Sequence, residues 1–121
     1  MSESQSLGQK GETFAVGYLQ KAGYRIRHRN WRSGKKELDI VAENNDYIVF
    51  VEVKTRTDDY LDNPANSINR EKERSMIFAA ESYIKKYNLN KESRFDVIIV
   101  IAKGETLDID HIENAFYPTL R

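Results

Sequence analysis

Apolar and small residues recur at three- and four-residue intervals over residues 7–22, through Leu7, Gly11, Ala15, Tyr18, Leu19 and Ala22, and predict an amphipathic helix. Gly23 supplies its C-terminal stop, and Tyr24, Ile26 and His28 open an alternating segment that enters a strand. Residues 37–42 and 47–54 are two β-prone runs separated by Glu43, Asn44, Asn45 and Asp46, the pattern of a hairpin. Alternation places Glu37 and Asp39 on one face of the first run, and Phe50, Glu52 and Lys54 on one face of the second. Residues 57–67, with Asp58, Asp59, Asp62, Pro64 and two asparagines, read as a mobile polar connection beside these strands. From 68 to 87, Met76, Ala80, Tyr83, Ile84 and Tyr87 are spaced for a second packed helix, with Asn88 and Asn90 at its exit. Residues 95–102 form a third long strand, and 106–110 a shorter edge strand ahead of a terminal helix or turn.

That α-β-β-β-α-β order predicts an α/β fold: a small mixed sheet flanked by helices. The 121 residues suit one domain spanning 1–121, with 1–6 as a flexible N-terminal tail. No internal repeat suggests an array instead.

Composition narrows the chemistry. Cysteine is absent, which removes disulfides, thiol nucleophiles and Cys-rich zinc sites. His28 and His111 lack a partner cluster and read as structural or surface groups, so a bound metal would be held by oxygen. No apolar run is long enough to cross a bilayer, and no basic segment followed by an apolar core opens the chain; the expected location is cytoplasmic, with no membrane partner. Nineteen Lys and Arg balance nineteen Asp and Glu, but residues 1–36 hold eight basic and two acidic side chains, so a basic face coexists with zero net charge.

The candidate chemistry lies in Asp39 and in Glu52-Val53-Lys54. Two carboxylates suit Mg²⁺, a hard cation that favours oxygen ligands and retains water, with Mn²⁺ as a substitute. Positions two apart on a strand point the same way, so Glu52 and Lys54 serve one site while Val53 packs behind, its carbonyl a further candidate ligand. Lys54 would hold an attacking water or stabilise charge on a phosphate. The competing interpretation is a surface salt bridge between Glu52 and Lys54 on an edge strand. Glu12, on the first helix beside Gly8 and Gly11, adds a third acid that reaches a metal through water.

These residues resemble the PD-(D/E)xK nuclease superfamily and, more closely, the YraN-like family of predicted endonucleases, similar in fold to archaeal Holliday-junction resolvases. The resemblance runs through Gly8-Gln9-Lys10-Gly11-Glu12, Tyr18-Leu19, Gly23-Tyr24, Arg29-Asn30, residues 37–42 and 50–56, Pro64-Ala65 and the Lys72-bearing helix. It implies a restriction-endonuclease-like fold with Glu12, Asp39, Glu52 and Lys54 as the catalytic centre, Mg²⁺ as cofactor, and Glu37 as a supporting acid. The family's Gly-Glu-Ile-Asp pattern stands here as Lys36-Glu37-Leu38-Asp39, which keeps both acids and replaces the flexible first position.

Arg25, Arg27, Arg29, Arg32, Lys35 and Lys36 are candidates for a phosphate-binding track leading to Asp39. Trp31, among them, reads as packing the strand, with base stacking as its alternative role. Arg56, next to Thr55, and Arg70, Lys72 and Arg74 are further phosphate candidates, although Glu71 and Glu73 make the last three equally a solvated ion-pair face. The function these residues point to is a metal-dependent DNA endonuclease that hydrolyses phosphodiesters on branched, damaged or single-stranded DNA. The resolvase likeness implies pairing with a second copy, and nicking by a monomer is the other option. The alternatives are a noncatalytic DNA-binding or repair-complex module and a purely structural interaction protein.

Overall fold

The computed structural model describes residues 6–57 and 69–118. The polar connection after residue 57, with Pro64-Ala65, and the first five residues of the tail lie outside the described residues.

Helix α1 spans Leu7–Lys21 and starts at a capping box: the Ser6 hydroxyl accepts from the Gln9 N–H, and the Gln9 side chain accepts from the Ser6 N–H. It buries Gly11, Ala15 and Leu19, one face at four-residue spacing, and Gly23 leaves it at φ 97°. Strands β1 (Arg25–Ser33), β2 (Lys36–Glu43) and β3 (Tyr47–Thr57) follow as an antiparallel meander. Helix α2 (Arg70–Tyr87) starts at Asn69, whose side chain accepts from the Lys72 N–H, and ends at Asn88 in the left-handed region. It carries the chain over to β4 (Glu92–Lys103), parallel to β3, and β5 (Thr106–Phe116) returns antiparallel at the far edge. The sheet order is β1-β2-β3-β4-β5.

Alternation along β3 builds the two apolar layers. Val49 and Val51 pack with Ile40, Ala42, Ile98 and Val100 under Ala15 and Leu19 of α1. Ile48 and Phe50 pack with Leu38, Val41 and Phe95 under Met76, Ala79, Ala80 and Tyr83 of α2. The central strands are therefore buried on both faces and read as near-continuous apolar runs. Trp31 packs into the α2 layer, its ring edge-on to Tyr83 at 5.0 Å between centroids.

One element departs from the sequence reading. The short edge strand expected at 106–110, followed by a helix or turn, is an eleven-residue strand reaching Phe116. Its second half is hidden in the sequence because the pairing with β4 shifts register between Phe95 and Val97, and Asn114 takes φ 52° there. Period-two alternation is lost at that bulge. His111 and Asn114, polar in the sequence, are satisfied by the buried Asp96: His111 Nε2 lies 2.7 Å from Oδ2 and the Asn114 N–H donates to Oδ1. Arg94 donates twice to the same carboxylate, and together these partners hold Asp96 below the usual carboxylate range against the upward push of burial.

Among the described residues, no helix is long and apolar enough to cross a membrane.

Candidate active site

The site is built where β2 and β3 separate. Their paired register ends at Ile40 opposite Val51, and beyond it the Val53 N–H donates to Asp39 Oδ2 at 2.9 Å. Strict alternation breaks at this level. Leu38 and Ile40 are two apart yet pack into opposite layers, with Leu38 and Val41 both under α2. Asp39 lines the α1-side cleft with Glu12, so the break falls between Asp39 and Ile40, and Glu37 lies 3.7 Å from Arg32, its neighbour across the β1–β2 pair.

Glu52 is only 4% exposed. Its two oxygens meet two ammonium groups: Lys54 Nζ at 3.2 Å from Oε2, and Lys72 Nζ at 3.4 Å from Oε1. A carboxylate so deeply buried needs such partners, and this one draws them from β3 and from the first turn of α2. The edge-strand salt bridge considered above does not fit: β3 is the central strand. Lys72, grouped by sequence with a phosphate patch, stands beside Glu52.

Helix α1 delivers Glu12. A Cβ placed on Gly11 would lie 2.1 Å from Thr55 Oγ1 and 3.2 Å from Thr55 Cβ, so only glycine lets the helix approach β3 this closely. Gly8, also read as a packing glycine, has only the Ser6 hydroxyl near its position, at 3.9 Å. The Glu12 side chain is gripped from β1: Asn30 Nδ2 donates to Oε1 at 3.1 Å, and Arg29 approaches the same oxygen at 3.4 Å.

Residues 6–9 and 53–56, with Glu12, Asn30 and Asp39, line a cleft of about 530 Å³. Glu52 is not part of its wall and joins it through Lys54. Burial pushes the Asp39 carboxyl up to about 7, aided by the negative charges of Glu52 and Glu12, against the downward pull of the Val53 N–H and of Lys72. A carboxyl that other negative charges push up in this way sits where a hard divalent cation would be favoured. Among the described residues, no three acidic or imidazole side chains are gathered into a metal cage. Mg²⁺ does not require one, because it is commonly held by one or two carboxylates, with water and phosphate completing the shell. The donor set Asp39 and Glu52 fits that pattern.

The basic candidates separate into groups. Arg25 and Arg27 lie at the other end of β1, where both, with Lys91, pair with Glu43. Glu43 is four residues from Asp39 along β2, about 13 Å at strand rise. Burial pushes the Glu43 carboxyl up, but bonds from Lys91 and Arg27 and the charge of Arg25 outweigh it and hold the pKa at about 2. Arg27 also donates to the Tyr83 hydroxyl, which lies 2.6 Å from His28 Nδ1. Arg29 is at the site; Arg32 and Lys35 are exposed near the β1–β2 turn; the Lys36 ammonium sits over the Phe78 ring at 5.6 Å. Arg56 lines the cleft, and Arg70 and Arg74 are exposed on α2.

Two features escaped the sequence reading: the grip of Asn30 on Glu12 and the pairing of Lys72 with Glu52. An asparagine amid strand-forming residues is a signal for the first, because Asn tolerates the left-handed backbone that Asn30 adopts at φ 52°. The second depends on the placement of α2 across the sheet and has no local signal.

Comparison with known proteins agrees with this architecture. The fold resembles that of Hjc, a Holliday junction resolvase from the archaeal hyperthermophile Archaeoglobus fulgidus, with a TM-score of 0.50 over 86% of this chain and 73% of that one; at 15% identity the likeness is one of fold, of the restriction-endonuclease-like kind. Sequence relatives are nearer. A UPF0102 protein of Bacteroides fragilis is 47% identical over 120 residues, 99% of each chain. One from Phocaeicola vulgatus is 42% identical over the same span, and one from Myxococcus xanthus is 40% identical over 95% of this chain and 92% of its own. Residues 11–100 match the model of the uncharacterised protein family UPF0102, and the chain belongs to that family.

Proposed function

We propose that the protein is a divalent-cation-dependent DNA endonuclease that hydrolyses phosphodiester bonds, with Asp39, Glu52 and Lys54 as its centre and Glu12 beside them. The observation that carries this reading is the meeting, at the parting of β2 and β3, of two carboxylates and two lysines beside an open cleft. A resolvase-like fold supports nucleic acid as the substrate.

Asp39 and Glu52, with the Val53 carbonyl, would hold Mg²⁺, or Mn²⁺ in its place. The cation would lessen the charge on the scissile phosphate and acidify a water molecule. Lys54, at the cleft wall, would stabilise the negative charge that grows on the attacked phosphate. Lys72 orients Glu52 through its Oε1. In the reaction, a water oxygen bonds to phosphorus and one P–O ester bond breaks; the departing oxygen gains a proton, and the proton lost by water passes to solvent or a nearby base.

Arg29, Arg56 and the exposed Arg32, Lys35, Arg70 and Arg74 supply cations for a phosphate backbone, which asks for positive charge without reading sequence. Branched, damaged or single-stranded DNA suits a small domain with an open cleft, and a second copy would address a second strand. The pairing of both Glu52 oxygens with lysines also favours a second reading, a DNA-binding or repair-complex module that does not cleave.

Both readings are tested with single-stranded, duplex, flapped and four-way DNA of one sequence, in Mg²⁺, in Mn²⁺ and in chelator. The endonuclease reading expects cation-dependent cleavage of at least one structure. Binding to all four with cleavage of none, under every cation condition, would favour the module.

A further inference from the structure

We propose that Asn30 is a positioning residue of this site: its left-handed backbone sets the strand break that faces Asp39, and its amide holds Glu12 in the cleft. The proposal rests on the reading of the cleft as a cation site.

Three observations converge. The first is register: Arg29 faces Ile40 and Trp31 faces Leu38, which leaves Asn30 opposite Asp39. The second is that both strands lose alternation at this level. In β2, Leu38 and Val41 are three apart and share the α2 layer. In β1, His28 and Trp31 are three apart and both meet Tyr83 of α2. A residue at φ 52° supplies that break, and Asn is among the few non-glycine residues that tolerate it. The third is the hydrogen bond from Asn30 Nδ2 to Glu12 Oε1 at 3.1 Å. Arg29 approaches the same oxygen, and among the described residues Glu12 Oε2 has no hydrogen-bond partner.

The arrangement resembles the outer partners of metal ligands, which orient a carboxylate so that one oxygen is presented to the cation. Asn30 therefore couples two elements that would otherwise reach the cleft independently, α1 with Glu12 and β2 with Asp39.

The two roles separate by substitution. Asn30→Gly keeps the left-handed backbone and removes the amide, whereas Asn30→Ala removes the amide and opposes the backbone as well. The test is calorimetric titration of the full chain with Mn²⁺ for wild type, Asn30→Gly, Glu12→Gln and the double variant, with melting temperatures for these and for Asn30→Ala. Wild type should bind Mn²⁺, and Asn30→Gly should bind it roughly tenfold more weakly, at the lower end of what loss of a ligand's outer partner costs. In the Glu12→Gln background, Asn30→Gly should have little further effect, which a general loss of structure would not produce. Asn30→Ala should melt below Asn30→Gly.

Wild-type binding with unchanged affinity in Asn30→Gly would overturn the positioning of Glu12, as would equal losses in both backgrounds. Equal melting of Asn30→Ala and Asn30→Gly would overturn the backbone role. No Mn²⁺ binding by folded wild type would overturn the cation reading itself and this proposal with it.

Discussion

Asp39 carries a cost that the fold accepts. Its carboxyl is raised from 3.8 to about 7, first by burial and then by Glu52 and Glu12. In the unfolded chain it ionises near its ordinary value, so between the two values the unfolded state releases the proton more readily, and the group's contribution to stability falls as pH rises from about 4 to above 7. Asp39→Asn keeps an oxygen to accept the Val53 N–H and removes the charge. It should melt above wild type at pH 8 in chelator, with the difference vanishing near pH 4; a lower melting temperature at pH 8 would contradict the charge account. Glu43 has the opposite sign. Its depressed value gives stability that is complete above about 4.5 and lost as pH falls toward about 2, so Glu43→Gln should flatten the acid limb of a stability profile that drops across that window in wild type. At Lys54, removal of the ammonium should lower kcat by roughly a hundredfold or more while leaving DNA affinity near wild type. Arg should not restore the rate, because a planar guanidinium does not reproduce the ammonium's position. Equal kcat for wild type and folded Lys54→Ala at saturating DNA would remove Lys54 from the chemistry.

At the scale of elements, the approach of α1 to β3 decides whether Glu12 reaches the cleft. Gly11→Ala sets a methyl 2.1 Å from Thr55 Oγ1, and either Thr55 or the helix must shift, a strain on the order of 1–3 kcal/mol. Thr55→Ala in the same chain removes that oxygen and should restore much of the stability, measured by denaturant titration of the single and double variants; no restoration would place the strain elsewhere. Helix boundaries were legible because α1 and α2 keep a four-residue apolar spacing between polar caps at Ser6, Asn69 and Asn88. The central strands were legible because they are buried on both faces. The second half of β5 was not, since the bulge near Asn114 breaks the alternation that identifies a strand. The same physics hid part of the site. Asp39, Glu52 and Lys54 follow from spacing along adjoining strands, but the twin breaks at Asn30 and Asp39 violate the rule by which strand faces are assigned. Lys72 reaches Glu52 only through tertiary packing of α2.

Across the whole molecule, zero net charge conceals unequal uses of the cations. Arg25, Arg27 and Lys91 are engaged by Glu43, and Arg94 by Asp96. Arg32, Lys35, Arg70 and Arg74 are exposed around the end of the sheet that holds the site. Neutralising these four should weaken binding to several DNA structures alike and reduce the salt slope by about one unit for each phosphate that is no longer neutralised. Neutralising Arg25 and Arg27 should instead lower stability with little change in slope. Identical slopes for wild type and the fourfold variant would move the DNA track elsewhere.

Cleavage of the substrate panel by purified protein in Mg²⁺ or Mn²⁺ should be compared for wild type, Asp39→Ala and Glu52→Gln, each shown to fold by melting and circular dichroism. Wild type should cleave in a cation-dependent way, and both variants should lose turnover yet retain most DNA affinity, because cation ligation and phosphate binding rest on different side chains. Turnover at the wild-type rate in both folded variants would contradict cation ligation by Asp39 and Glu52.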